Sequence, residues 1–536
     1  MDSTQTYLTN LLLEIDSICK KYDIEYVIDY GTTLGAVRHE GFIPWDDDID
    51  INMTEENYYK WVEACKKELD PNKRFYSDGR QNRDFPGVFG RYIDVESMRI
   101  SSTFAFWQPI CGQCIDVFYM LELPGDPVKK QKAIDLYFAY DEYANSSYRH
   151  YRSKTEEQMK LYKSFLRWEK IVGKERVLRY LEKQIFNKHY DDCDTYIVTS
   201  ARKLGPSSIA PKECYDNIYM ADFEGHKLPI AGKYVELMTH YYGDDWDRLP
   251  DHKKSHSKMS KNGIHCKDYV DDYMRLIDEK ELKKQRQQYK HLAVEEGYRT
   301  TKHMRMVYTK KGECELLKIQ RKIAEKGINI KDYLVADDKN KLAVLDEIFA
   351  DYYNFQLNSS VRYWEVYVDI TEELFYAAMF NLVYGRNNFT AVSKIMKIRE
   401  ANGVKNTAEV TKLWNLILTS RKIKAQIIYE NYEDAKKLIS DGLALYPHSK
   451  EIKVYNLIVK TLTAENEKDL SNAETLANSL LEQYPNDDLC IKALGDIAFA
   501  RKDMPKAKEY YDYIMENSNN GMLHLDIKKK AGAFND

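Results

Sequence analysis

Apolar residues near the start of the chain repeat at helical spacing, at Leu8, Leu11, Leu12, Ile15 and Ile18. This period predicts a helix over residues 5–22. The apolar run at residues 26–30 then predicts a short strand that Gly31 ends. Thr32 or Thr33 is predicted to cap a further short helix that runs towards Arg38.

Further along, helical and strand patterns alternate as far as about residue 265. Thr54 is predicted to cap a helix that ends near residue 69. Several strands are predicted between residues 74 and 121, the clearest at residues 114–121, followed by helices over residues 128–190. A compact unit over residues 223–246 is predicted to complete an α+β domain of residues 1–265, before a polar, turn-rich stretch.

Residues 266–536 carry a helical pattern with almost no strand signal. We interpret residues 266–340 as a helical linker region and residues 341–536 as an all-α repeat domain. Ala435, Ala473 and Ala507 recur at offsets of 38 and then 34 residues, and 34 is the tetratricopeptide period. The longer first offset predicts a small insertion near Glu465, and an ordinary helical bundle is the alternative.

An acidic run stands inside the apolar pattern of the first domain, at Asp46, Asp47, Asp48 and Asp50. If residues 46–51 are extended, Asp46, Asp48 and Asp50 share one face and the intervening isoleucines enter a core. Carboxylates on one face repel each other unless a cation lies among them. An all-oxygen set of this kind suits magnesium bound together with substrate phosphates. A solvated acidic loop is the alternative.

The net charge, the cysteines and the apolar runs of the chain argue against several classes of protein. A net charge of −5 over 536 residues gives no electrostatic case for a nucleic-acid partner. Nine cysteines are widely spread, and the isolated pair Cys111 and Cys114 is predicted to be buried on a strand rather than to bind zinc. The first residues lack a signal-peptide pattern and no apolar run reaches the ~18–20 residues that span a bilayer. We therefore expect a cytoplasmic protein.

Three functional readings of the acidic run compete. In the first, Asp48 and Asp50 hold magnesium against a nucleotide's phosphates, and Asp116, amid apolar neighbours, completes the site or accepts a proton. Gly31, Thr32 and Thr33 then offer a phosphate-binding turn, and Arg38 a phosphate clamp. In the second, Asp48 and Asp50 are the D-x-D of a glycosyltransferase, which the short stretch before Asp48 disfavours. In the third, the chain is a non-catalytic helical scaffold.

The run from Gly31 to Asp50 resembles the signature of the LicD family, which includes phosphocholine transferases of bacterial surface glycans and, more distantly, fukutin-type ribitol-phosphate transferases. It reads Gly-Thr-Thr-Leu-Gly-Ala-Val-Arg-His-Glu-Gly-Phe-Ile-Pro-Trp-Asp-Asp-Asp-Ile-Asp. Residues 114–118 resemble the family's I-D-V-F strand, and residues 223–229 and 242–250 resemble its closing motifs. The resemblance covers about the first 265 residues and implies a nucleotidyltransferase fold of the polymerase-beta-palm type.

The resemblance implies roles for individual residues. Gly31 and Thr32 would form the phosphate-binding turn, and Asp48, Asp50 and Asp116 would hold Mg²⁺ or Mn²⁺ with Asp46 in support. Two further motif positions, Arg38 and His39, would contact phosphate or shape the turn. The chain departs from the family after its second strand region, where Arg91 is expected to keep a basic role without the usual asparagine–threonine pair.

The resemblance also implies a reaction. We expect transfer of a phosphorylated alcohol, such as phosphocholine, from a CDP-linked donor to a glycan or lipid-linked glycan, with release of CMP. This is a step in building bacterial lipopolysaccharide, teichoic acid or capsule, and peripheral attachment to the inner face of the membrane would suit a lipid-linked acceptor. Transfer of a nucleotidyl group is the alternative. The family assigns no role to the helical repeats, for which a protein partner is one expectation.

Overall fold

The computed structural model describes residues 3–83, 85, 87–97, 112–144, 155–200, 208–250, 279–361, 366–368 and 370–531. The described residues form two units by their internal contacts. The first unit comprises residues 1–241 and 251–302, and the second comprises residues 242–250 and 303–536. The predicted domain boundary at residue 265 and the linker's first residues lie outside the described ranges, as does Cys111.

The first unit is an α/β region with a mixed, curled sheet. Its strands are β1 (Val27–Ile28), β2 (Asp50–Thr54), β3 (Arg74–Ser77), β4 (Gly90–Asp94), β5 (Cys114–Leu123), β6 (Thr195–Val198), β7 (Ile209–Pro211), β8 (Ile218–Phe223) and β9 (His226–Ala231). Its helices are α1 (Ser3–Lys21), α2 (Tyr30–His39), α3 (Glu55–Glu68), α4 (Pro127–Ala144), α5 (Glu156–Val172), α6 (Lys174–Ile185) and α7 (Tyr234–Tyr242).

The long strand β5 lies at the centre of the main sheet. The order is β1-β2-β5-β4-β3, and β6 pairs with the second half of β5 and with β7. Strands β2 and β5 are parallel, whereas the other pairs are antiparallel. Strands β8 and β9 form a separate hairpin. Strand β5 pairs with β2, β4 and β6, so its residues lie at the centre of the sheet.

Local patterns account for the elements that flank the site. Helix α1 buries Leu8, Leu12 and Ile15 completely, which confirms the predicted helix near the start of the chain. A buried leucine or isoleucine contributes about 1.5–3 kcal/mol of transfer free energy, so this apolar face anchors α1. The predicted cap of α3 is confirmed, since the Thr54 side chain accepts a hydrogen bond from the backbone N–H of Asn57. The strand predicted at residues 114–121 is confirmed as β5, and its first residue, Cys114, is buried.

The second unit is helical. Its helices are α8 (Glu279–Lys326), whose residues before 303 group with the first unit, α9 (Lys339–Val361), α10 (Glu372–Tyr384), α11 (Phe389–Ala401), α12 (Ala408–Ile428), α13 (Tyr432–Leu445), α14 (Lys450–Leu462), α15 (Glu467–Gln483), α16 (Asp488–Ala500), α17 (Met504–Asn517) and α18 (Gly521–Ala531). Within the described ranges no helix is long and apolar enough to cross a membrane.

The repeated alanines lie on the first helix of each successive pair. Ala435 on α13, Ala473 on α15 and Ala507 on α17 are fully buried. Helix α15 begins six residues before its alanine, whereas α13 and α17 begin three residues before theirs. A longer start of α15, close to Glu465, therefore accounts for most of the extra residues in the first offset. Assignment of the pairs to the tetratricopeptide class stays a prediction.

Residues 242–250, called the closing segment below, group with the helices of the second unit. From its sequence we expected this segment to belong to the first domain, as the end of that domain's last motif.

Candidate active site

Two aspartates from neighbouring strands lie side by side at the centre of the sheet. Asp50, the first residue of β2, is directly opposite Asp116 of the parallel strand β5. The backbone N–H of Asp116 donates to the Ile49 carbonyl at 3.1 Å, which fixes this register. Directly opposed residues on adjacent strands project from the same face. The two carboxylates therefore share one face of the sheet, as the family motif implied.

Asp46 and Asp48 approach the same place on irregular backbone. The strand begins at Asp50, so residues 46–49, which follow a turn at Pro44 and Trp45, lie outside it, while Ile49 and Ile51 are fully buried as predicted. The turn is fixed by bonds from the Asp46 N–H to the Ile43 carbonyl at 2.8 Å and from Gln5 Nε2 to the Asp46 carbonyl at 3.1 Å. This turn brings Asp46 towards the start of β2.

The cluster is electrostatically crowded. Burial, and then the charges of Asp48, Asp116 and Asp46, raise the pKa of Asp50 well above its usual range. Burial, and then the Asp48 charge, raise the pKa of Asp46 to about 8. Within the described part of the chain, no three acidic, histidine or cysteine side chains are placed so that they could hold a metal ion. The carboxylates are therefore gathered but not closed around a common point.

The raised pKa values predict how stability responds to pH without divalent cations. Both carboxyls have a higher pKa in the folded chain than in the unfolded chain, so the folded chain holds their protons more tightly. Their contribution to the free energy of unfolding is therefore fully present below the pKa of the unfolded chain, and it is lost as the pH rises towards about 8. We expect the thermal midpoint in EDTA to fall between about pH 5 and pH 9, and by about 2 °C less in an Asp46→Asn, Asp50→Asn variant. Parallel midpoint-against-pH curves for the two proteins would contradict this.

Helix α2 begins next to the cluster, one turn earlier than predicted. Its N-cap is Asp29, whose carboxylate accepts the Tyr30 N–H at 2.8 Å, so the prediction of Thr32 or Thr33 as the cap is wrong. The buried Asp29 carboxylate also accepts hydrogen bonds from Asn52 and Tyr215, both at 2.9 Å. This network ties the start of α2 to β2.

The predicted glycine–threonine turn lies against the carboxylates. A Cβ on Gly31 would lie 3.0 Å from Asp46 Oδ2, so only glycine leaves this approach unobstructed. Thr32 Oγ1 accepts the Asp50 N–H at 3.0 Å, and Thr33 Oγ1 donates to the Ile28 carbonyl at 2.6 Å. Both threonines are buried. Their hydroxyls fasten α2 to the two strands, while the phosphate-binding role of the turn stays a prediction.

Arg91 and the pair Arg38–His39 occupy different places. Arg91 on β4 is opposite Asp116, and its Nε donates to Asp116 Oδ1 at 2.7 Å. Arg38 and His39 lie in the last turn of α2, and Arg38 Nε donates to His39 Nε2 at 3.1 Å. Arg38 lies seven positions after Gly31 in the same helix, which places it about 10 Å further along the helix axis. Of the three, the structure brings Arg91 to the central carboxylates.

Sequence reasoning missed an aromatic group around the start of α2. Tyr30 has a left-handed backbone, with φ of 48°. Its ring stacks on Tyr241 at a centroid distance of 4.9 Å, and its hydroxyl lies 2.7 Å from Ser200 Oγ. Tyr241 also shares a hydrogen bond with Tyr215 at 3.0 Å. The polar Asp29 between an apolar strand and Gly31 was the available signal, but its partners are distant in sequence.

The first closing motif supports the loop that carries the acidic run. Phe223 packs on Phe42 at a centroid distance of 5.0 Å. The Glu224 carboxylate accepts the Phe42 N–H at 2.9 Å, and the Glu224 N–H donates to the Glu40 carbonyl at 2.9 Å. Two segments that are far apart in the sequence are thereby joined beside the turn that leads to Asp46.

The part of the chain that carries the acidic run is similar to a family of known proteins. Residues 23–108 match the family model described as LicD/FKTN/FKRP, nucleotidyltransferase domain. The matched range contains Gly31, the acidic run and Arg91, whereas Asp116 follows it.

Curated relatives extend the similarity. The chain is 27% identical over 266 residues to the lipopolysaccharide cholinephosphotransferase LicD of Haemophilus influenzae, an alignment that covers 46% of this chain and 91% of that protein. Over 50 residues it is 46% identical to uncharacterized proteins of Rickettsia prowazekii and Rickettsia typhi, covering 9% of this chain and 19% and 16% of theirs.

Proposed function

We propose that the chain, which carries a LicD-family domain and is a phosphotransferase, transfers a phosphorylated alcohol from a CDP-linked donor to a hydroxyl of a surface glycan. The observation that carries this proposal is the pairing of Asp50 with Asp116 on adjacent parallel strands, beside Asp46 and the start of α2. Juxtaposed carboxylates next to a glycine-containing helix start suit phosphoryl transfer. We assign the domain to the nucleotidyltransferase superfold on the same ground.

The proposed reaction is an in-line displacement at phosphorus. The acceptor hydroxyl oxygen forms a bond to the phosphorus that carries the alcohol, and the bond from that phosphorus to the CMP oxygen breaks. Asp116 accepts the hydroxyl proton, while Arg91 orients its carboxylate through the 2.7 Å hydrogen bond. The products are a phosphodiester between alcohol and glycan, and CMP.

We further propose that Asp48 and Asp50 bind Mg²⁺ or Mn²⁺ together with the donor phosphates, with Asp46 in support and Asp116 as a third ligand if it does not act as base. Since no three of these side chains surround a common point in the structure, they would close around the ion when it binds. Burial and then the charges of neighbouring carboxylates raise the pKa of Asp46 and Asp50, and a cation would relieve that repulsion. Carboxylate oxygens are the ligands that magnesium prefers. When bound, the ion would neutralise charge on the donor phosphates.

For the substrates, we propose a phosphocholine donor and a lipopolysaccharide-type acceptor. The support is the similarity to the lipopolysaccharide cholinephosphotransferase of Haemophilus influenzae, whose length is almost fully matched. A CDP-linked donor that supplies phosphocholine is CDP-choline, which is therefore the first candidate. CDP-ribitol and CDP-glycerol are the other candidates. A lipid-linked acceptor would place the protein at the inner face of the membrane.

Product analysis tests the proposal. The full chain would be incubated with magnesium, a lipopolysaccharide precursor and, in turn, CDP-choline, CDP-ribitol, CDP-glycerol or CTP. We expect CMP from one CDP-alcohol, dependent on the acceptor. Pyrophosphate from CTP, together with a nucleotidylated acceptor, would instead support nucleotidyl transfer and overturn the proposal.

A further inference from the structure

The closing segment is an acidic peptide that packs against helices of the second unit through its buried Trp246. It reads Tyr242-Gly-Asp-Asp-Trp-Asp-Arg-Leu-Pro250. Gly243 adopts a left-handed conformation with φ of 101°, and Trp246 is only 2% exposed. Lys424 Nζ lies 5.2 Å from the centre of the Trp246 ring, within the range of a cation–π contact. The segment is therefore built into the second unit rather than laid on its surface.

Basic and hydroxyl side chains of α11 and α12 recognise the first half of the segment. Arg421 donates from Nε and Nη2 to the two carboxylate oxygens of Asp244, at 2.6 and 2.9 Å. Thr390 Oγ1 accepts the Asp244 N–H at 2.9 Å, and Lys424 Nζ donates to the Asp244 carbonyl at 3.0 Å. A bidentate arginine fixes both the position and the orientation of a carboxylate.

The second half of the segment contacts Lys424 of α12 and residues nearer the end of the second unit. Lys424 also pairs with Asp247 at 3.0 Å, and Asn520 Nδ2 donates to the same carboxylate at 3.3 Å. Arg248 donates to both oxygens of Asp488, at 2.9 and 3.1 Å. Positive groups thus pair with Asp244 and Asp247, the Thr390 hydroxyl donates to Asp245, and the negative Asp488 pairs with Arg248. This complementarity specifies one peptide in one register.

These contacts come from elements widely spaced along the second unit: α11, α12, the start of α16 and the residues before α18. Stacked helix pairs create extended surfaces that bind peptides. Here such a surface carries a peptide of its own chain. A protein partner of the repeats would need to use another surface or displace the closing segment.

We propose that the helical unit acts in cis, as a binding site for the closing segment that positions α7 and, through it, the start of α2. The chain itself makes the connection, since Tyr242 follows Tyr241, whose ring stacks on Tyr30. Arg421 is then a positioning residue that acts through Asp244. The inference concerns the repeats, and it stands whichever alcohol or acceptor the active site uses.

Hydrogen exchange of the full-length protein, followed by mass spectrometry, tests this without any substrate. In Arg421→Glu we expect exchange of the closing segment to rise about tenfold or more, because a partly buried ion pair is lost and local opening becomes easier. Exchange of residues 234–241 and of Thr32 and Thr33, whose N–H groups donate to the Asp29 carbonyl, should rise as well.

A charge exchange separates specific recognition from general damage. The Asp244→Arg, Arg421→Glu double variant restores opposite charges and is expected to regain most of the protection. Arg501→Glu, which breaks ion pairs with Glu467 and Glu474 elsewhere in the same unit, is the matched control and should leave all three regions protected. If Arg421→Glu fails to fold, Arg421→Gln provides the same comparison with a smaller expected change.

Unchanged protection of the closing segment in both Arg421 variants would overturn the proposal. So would a loosened segment with unchanged exchange in α7 and at the start of α2, because the repeats would then bind the segment without positioning anything. A double variant as poorly protected as Arg421→Glu would equally count against it.

Discussion

Replacing Asp48 and Asp50 together by asparagine is expected to reduce CMP release by about 10³-fold or more. Both changes remove charge from the proposed cation ligands while keeping side-chain shape. Because Asp50 is raised in pKa by burial and by its acidic neighbours, the variant should fold at least as stably as the native chain near neutral pH in EDTA. Turnover by initial rates and stability by thermal unfolding are the measurements.

Asp47→Asn is the matched control, since Asp47 stands in the same acidic run and has no assigned role in the reaction. We expect it to retain turnover within about threefold, the size of an ordinary surface effect. Native turnover in the Asp48→Asn, Asp50→Asn protein would exclude these two residues from the reaction. Loss of turnover together with loss of the folded state would show a structural role instead.

Asp116→Asn is expected to lower kcat by about 10²- to 10⁴-fold, the range of a general base. The magnesium dependence of the remaining rate distinguishes its two proposed roles. If Asp116 accepts the proton, the magnesium concentration for half-maximal rate should stay close to that of the native protein. If it is a third ligand, that concentration should rise.

Arg91→Lys provides the companion measurement, because it keeps a positive charge but changes the geometry of the bond to Asp116 Oδ1. We expect a smaller fall in kcat than in Asp116→Asn, about tenfold, since a lysine does not reproduce arginine geometry. A native rate in Asp116→Asn would contradict the assignment of Asp116 to the chemistry.

Local sequence patterns were sufficient where neighbouring residues decide the structure. The apolar period of α1, the threonine cap of α3 and the apolar run of β5 each act within a few residues. The pairing of Asp50 with Asp116 was also accessible, because an aspartate amid buried strand residues needs a special environment. The family motif supplied the same pair.

Contacts between distant residues were not accessible in this way. The start of α2 depends on Asp29, Asn52 and Tyr215, and nothing local indicates that these side chains meet. The turn at Pro44 and Trp45 is held by Gln5, whose side chain donates to the Asp46 carbonyl from 41 residues away in the sequence. The ion pair between Asp244 and Arg421 joins positions 177 residues apart, so the place of the closing segment needed the structure.

The central claim is the transfer of a phosphorylated alcohol, and the most direct measurement is of the acceptor itself. The full chain would be incubated with magnesium, a lipopolysaccharide precursor and, in turn, CDP-choline, CDP-ribitol or CDP-glycerol, and the glycan examined by ³¹P NMR and mass spectrometry. We predict a new phosphodiester that carries choline, formed in equal amount with CMP and absent with the Asp48→Asn, Asp50→Asn variant. An acceptor that carries cytidine monophosphate, or an unmodified acceptor with every CDP-alcohol tested, would contradict the account.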